Sequence, residues 1–153
     1  MVREPTMICD LFEWLPPWGE FELRPAWSGH DFVVNVDYET GTAAEPGDEI
    51  LTKVVTFDFA VATITGLWPD LRSLPPDTFG GAAIDRGQIY DLGSTALLDE
   101  IRRRFRDAAP PQLLTEDYPD FSHYYVHFED MKKTFQAVAG GVAVSDGAPP
   151  EAT

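Results

Sequence analysis

The chain has 153 residues, 44% of them hydrophobic, and a formal net charge of −15. The hydrophobic share supports a packed core, and the length suits one domain. The charge argues against nucleic acid and anionic membrane as electrostatic partners; it either only keeps the protein soluble or favours a basic partner. A single cysteine, Cys9, excludes an internal disulfide framework and a cysteine-rich zinc site. No apolar run approaches the roughly 20 residues that cross a bilayer. The opening residues Met1-Val2-Arg3-Glu4-Pro5 lack the apolar stretch of a signal peptide. A cytoplasmic protein is expected.

Residues 1–19 hold Leu11, Phe12, Trp14, Leu15 and Trp18 around Pro16-Pro17. The double proline forbids a regular helix, so the segment reads as a strap across the core, with an exposed aromatic recognition patch as the alternative. Phe21, Leu23 and Pro25 alternate with Glu20, Glu22 and Arg24, a first strand running towards Trp27. Pro25 places it at a sheet edge. Ser28-Gly29-His30-Asp31 reads as a turn, and Phe32 to Tyr38 alternates again. Residues 39–49, with Glu39, Glu45, Asp48 and Glu49, read as a polar acidic loop. Leu51 to Ala62 is the clearest strand, with Val55, Phe57, Phe59 and Val61 expected inward and Thr52, Thr56 and Asp58 outward.

Residues 66–82, with Pro69, Pro75-Pro76 and Gly80-Gly81, read as a long irregular excursion, and Ile84 to Leu92 as a short strand. An amphipathic helix is expected over about 94–108. Leu97, Leu98, Ile101 and Phe105 form its apolar stripe, Ser94 its N-cap and Pro110-Pro111 its stop. Asp99–Arg103 and Glu100–Arg104 are i,i+4 pairs in the favourable order. Asp117-Tyr118-Pro119-Asp120 reads as a turn.

A hairpin follows. His123, Tyr125, His127 and Glu129 share one face of its first strand, and Tyr124, Val126 and Phe128 the other. Asp130 to Lys133 forms the tip, and Thr134 to Val144 the return strand, with a bulge or bend at Gly140-Gly141. The expected fold is therefore α+β: a mostly antiparallel curved sheet of about five to six strands, with the one main helix packed on one face. Residues 1–144 form a single domain, and residues 145–153 a disordered tail.

The candidate chemistry is thin. On a strand, His123 and His127 stand about 13 Å apart, too far to grip one ion, and no glutamate follows His123 as a zinc-protease motif requires. No metal and no cofactor is expected. His123, Tyr125, His127 and Glu129, with His30 nearby, would line a sheet face able to hold a small molecule or a general acid or base. The competing reading makes this the solvent face, or buries the histidines under the helix with satisfied hydrogen bonds. Cys9 has no basic neighbour in sequence to activate it, and Gly80-Gly81 precedes no Gly-Lys-Ser/Thr. No catalytic residue is assigned.

The charge ranks first. Residues 1–93 carry 16 acids and 5 bases, whereas residues 94–153 carry 10 and 6. The leading expectation is a non-catalytic protein that offers acidic groups to a basic partner, as bacterial immunity proteins and inhibitors of nucleic-acid enzymes do. A small-molecule binding protein or enzyme is the alternative, and an edge strand would also suit a homodimer.

Overall fold

The computed structural model describes residues 5–15, 20–41, 46–67, 88–108, 120–128 and 133–148. Its strands are β1 (Thr6–Asp10), β2 (Glu20–Ser28), β3 (Asp31–Gly41), β4 (Pro46–Asp58), β5 (Ala62–Leu67), β6 (Gln88–Asp91), β7 (Ser122–Phe128), β8 (Lys133–Ala139) and β9 (Gly141–Asp146). The helix is α1 (Ala96–Ala108), and a short 3₁₀ turn, Leu11–Glu13, follows β1. All strand pairings are antiparallel, and the class is α+β.

One curved sheet was expected; the strands form two. A five-stranded sheet has the order β1-β6-β7-β8-β5 and a four-stranded sheet the order β2-β3-β4-β9. Their facing sides share one apolar core. Leu23, Phe32, Val34, Val36, Tyr38, Val55 and Phe57 come from the four-stranded sheet. Ile89, Tyr124, Val126, Phe128, Phe135, Ala137 and Ala139 come from the five-stranded one. Each fully buried large apolar side chain contributes roughly 1.5–3 kcal/mol, so this alternation is the main reason for the fold.

The two sheets are joined at a corner that the sequence concealed. The run from Leu51 to Ala62 was expected to be one strand with Phe59 and Val61 inward. It breaks after Asp58, and Phe59 turns outward with 48% of its surface exposed. The return run from Thr134 to Val144 breaks beside it at Gly140. Asp58 pairs with Gly141 in one sheet, and Ala62 with Val138 in the other. A two-stranded ribbon thus crosses from sheet to sheet. Phe59 takes the left-handed region, φ 48°. Its N–H donates to Asp31 Oδ1 (3.0 Å), Ala60 N–H to His30 O (2.9 Å) and Val61 N–H to Val138 O (2.9 Å). Gly140 N–H donates to Asp58 O (2.7 Å). Three successive backbone donors that leave the ladder are each satisfied, which fixes the bend.

Other boundaries move for local reasons. The expected acidic loop is largely strand: β3 and β4 pair out to Gly41 and Pro46, leaving only residues 42–45 between them. β2 is an edge strand, as Pro25 required, and the Ser28–Asp31 turn is present with Gly29 at φ 60°. The amino-terminal segment supplies an edge strand, β1, before Leu11 and Leu15 enter the core as a strap. Ser145 and Asp146, expected in the tail, pair with Val54 and Lys53 in β9. Gly147 continues along Thr52, where a Cβ would sit 2.6 Å from Val54 Cγ2.

The helix lies where the stripe put it. Leu98 packs with Phe121 and Val138, flanked by Leu97, Ile101 and Phe105. The cap is one residue later than expected. Thr95 Oγ1, not Ser94, accepts the Leu98 N–H (3.1 Å). Glu100 binds Arg104 (2.8 Å) as expected, but Arg103 turns to Glu100 (2.7 Å) and Asp107 (3.6 Å) rather than to Asp99. No described helix is long and apolar enough to cross a membrane. The expected excursion over 66–82 and the 117–120 turn fall almost wholly outside the described residues.

Candidate functional site

The histidine face of β7 is built as a staple. His123, Tyr125 and His127 do share a face, the one turned from the inter-sheet core, and all three are buried. His123 Nε2 lies 2.8 Å from Gln136 Oε1, and Nδ1 lies 2.8 Å from Thr95 Oγ1. One proton arrangement satisfies the set. Nε2–H donates to Gln136, Thr95 O–H donates to Nδ1, and Thr95 Oγ1 still accepts from Leu98 N–H. Burial pushes the imidazole below its ordinary range, against the opposing pull of the Gln136 bond and the Asp91 charge. A neutral, doubly bonded imidazole locks the N-terminus of α1 to the sheet. Its carbonyl also accepts the Leu92 N–H (2.7 Å).

The other described residues of that face, Tyr125 and His127, are buried as well. Burial drives the Tyr125 hydroxyl far up. Glu129 lies outside the described residues. His30, expected nearby, belongs instead to the β2–β3 turn of the other sheet, where its ring is 5.6 Å from Phe59. Among the described residues no three His, Cys, Asp or Glu side chains gather to hold a metal. The Cys9 thiol is pushed up by burial and by Glu13 and Asp10, so thiolate is scarce near neutrality.

The acidic residues are gathered more tightly than their sequence positions suggest. β2 begins, β3 ends and β4 begins at one end of the four-stranded sheet. Glu20 pairs with Tyr38, Glu22 with Asp37, and Glu39 with Ile50. Glu39 is thus one register step from Glu49 and two from Glu22, and all three are exposed. From strand spacing, Glu22 and Glu39 stand about 8 Å apart, within a Debye length at physiological salt, so their potentials add. Asp48 lies in the same stretch of β4, while Glu45 is outside the described residues.

Two nearby cations are paired with other carboxylates. Arg24 gives a two-pronged pair to the buried Asp37, Nε to Oδ2 and a terminal nitrogen to Oδ1, both 2.8 Å. Thr52 O–H donates to the same carboxylate (2.6 Å). Burial raises the Asp37 pKa, but the Arg24 and Thr52 bonds and the Arg24 charge outweigh it and leave it lowered. Lys53 pairs with Asp146. Both cations are committed within the sheet.

Two further features escaped the sequence reading. A groove of about 390 Å³ runs between β5 and α1, lined by Val61, Ala62, Leu97, Glu100, Ile101, Arg104 and Phe105. The helical stripe was its signal, since Leu97, Ile101 and Phe105 are only half-buried. The other feature is the aromatic corner around Phe59, which no periodicity revealed because Phe59 fits the strand alternation it breaks. Comparison with protein-family models, curated proteins and solved structures finds no match, so geometry alone bears on function.

Proposed function

We propose that the chain is a non-catalytic, acidic binding protein of the cytoplasm that presents the Glu22–Glu39–Glu49 end of its four-stranded sheet to a basic surface of a partner protein, as an immunity or inhibitor-type protein would. One observation carries this reading. The register concentrates exposed carboxylates at that end while Arg24 and Lys53 are held by Asp37 and Asp146. Such a field accelerates encounter with a basic protein and repels nucleic acid.

The experiment is affinity capture from extract of the source cells, with the wild-type chain and a Glu22→Gln/Glu39→Gln/Glu49→Gln variant. The expected partner is basic, is held at low salt, leaves the column by 0.5 M salt, and is absent from the variant column. Identical captured proteins on both columns would contradict the proposal.

A second reading, a small-molecule pocket, keeps support from the groove beside α1, whose volume lies in the range of ligand sites. Its described lining holds no histidine, so its ligand would be apolar rather than one processed by His123 or His127.

A further inference from the structure

The helix is held to the molecule more weakly than the two sheets are held to each other. Among the described residues, no side chain of α1 enters the inter-sheet core. Leu98 packs instead in a separate cluster with Phe121 and Val138, and Leu97, Ile101 and Phe105 are only half-buried around it. Fewer buried side chains mean a smaller free energy of docking, so α1 can open without the core opening. The tether is built for this. Leu92 is fully buried, and its N–H donates to the His123 carbonyl (2.7 Å). Gly93 follows at φ 76°, with its N–H on Asp91 Oδ1 (2.9 Å). The link thus stays on the sheet, and glycine supplies the backbone freedom for the helix beyond it to pivot.

The polar fastening lies beneath the first turn. His123 is 1% exposed and bridges Gln136 of β8 to Thr95 at the cap of α1. With the ring neutral, each donor meets an acceptor. A second ring proton ends that match. Nδ1–H then faces the Thr95 hydroxyl donor to donor unless the hydroxyl turns away, and a full charge sits where water does not reach. The groups packed round the ring do little to offset this. Asp91 of β6 brings a negative charge that favours the proton, but burial outweighs it. Gln136 and Thr95 are uncharged. Arg102 of α1 is engaged by the Phe121 carbonyl (2.7 Å), and His127, the other buried imidazole of this face, pairs across the ladder with Thr134.

We propose that α1 is an acid-released lid: protonation of His123 lifts the helix off the five-stranded sheet about Gly93 while the inter-sheet core stays folded. Release hydrates the charged ring and uncovers Phe121 and Val138, so acid exposes an apolar face that neutral pH keeps covered. A helix of 13 residues is marginal alone in water, so α1 unwinds once it leaves. The inference does not depend on the basic-partner reading, since the acidic end belongs to the other sheet.

The test is native-state hydrogen exchange of the ¹⁵N-labelled full chain, read by NMR from pH 7.5 to 5.0 and in low urea. The released ring titrates in the ordinary imidazole range, near pH 6.5. Protection of the Ile101 to Phe105 amides, corrected for intrinsic exchange, is therefore expected to fall about thirtyfold, approaching tenfold per pH unit at the acid end. These amides are expected to exchange through an opening with a shallow urea dependence. That opening should be at least about tenfold more frequent than the steeply urea-dependent opening of the β3–β4 ladder. In His123→Asn the thirtyfold fall is expected to vanish. Helix protection that ignores pH would overturn the proposal. So would helix and β3–β4 amides opening together with one urea dependence, because release would then be global unfolding, and so would a fall that persists in the folded variant. The first two results are read on the wild-type chain, so the proposal is decided even where the variant does not fold.

Discussion

His123 shows how a residue with catalytic potential is spent on structure. Both ring nitrogens are bonded, and burial holds the ring neutral. Because its folded pKa lies below the unfolded value, the native state binds fewer protons than the unfolded chain as pH falls. Stability from this group is complete above about pH 6.5 and is lost as pH drops through that value towards the depressed folded pKa. Urea unfolding at pH 7.5 and 5.5 is expected to show the wild type losing stability with a slope of up to about 1.4 kcal/mol per pH unit from this ring, a component absent in His123→Asn. Asp37 acts in the same direction at lower pH: its pKa is lowered, so its contribution is present above the ordinary carboxyl range and is lost in stronger acid. Gly147 makes a steric case. A Cβ there would meet both Val54 and Thr52 side chains under 3.0 Å, so Gly147→Ala is expected to cost about 1–3 kcal/mol in chemical denaturation.

At the level of elements, α1 and the strands with strict alternation were legible because their periods are set by one buried face. The stripe Leu97, Leu98, Ile101, Phe105 and the Tyr124–Val126–Phe128 row landed as expected. The cap was misread by one position because Ser94 and Thr95 offer the same chemistry, and only tertiary contact with His123 selects Thr95. Thr95→Ala is expected to cost about 1–2 kcal/mol, since it removes both the cap and an imidazole partner, and Ser94→Ala is expected to cost less; thermal melts of the two variants decide it. The corner was illegible for a different reason. A strand that switches sheets keeps its alternation up to the break, so Phe59 and Val61 carry the pattern of a continuing strand. What breaks it is a set of long-range hydrogen bonds to His30, Asp31 and Val138. The acidic loop was misassigned because polar composition outweighed pairing, whereas the β3–β4 ladder continues past Glu39 to Gly41 and Pro46.

At the scale of the molecule, the described residues form two stacked sheets with a helix stapled to one of them, and their exposed charge lies at the periphery. The five-stranded sheet is buried on both faces along β7, which removes the histidines from solvent. Charge is left as the main outward chemistry, and the sheet register decides where it collects. The candidate acids were readable as a list; their grouping across β2, β3 and β4 was not, because Glu22 belongs to a strand distant in sequence from Glu49. The most direct measurement is the ionic-strength dependence of Kd for the captured partner, wild type against the Glu22→Gln/Glu39→Gln/Glu49→Gln chain. A steep wild-type dependence is expected, with a shallower slope and at least about tenfold weaker binding at low salt in the variant. Equal slopes and equal affinities in the two chains would contradict the account.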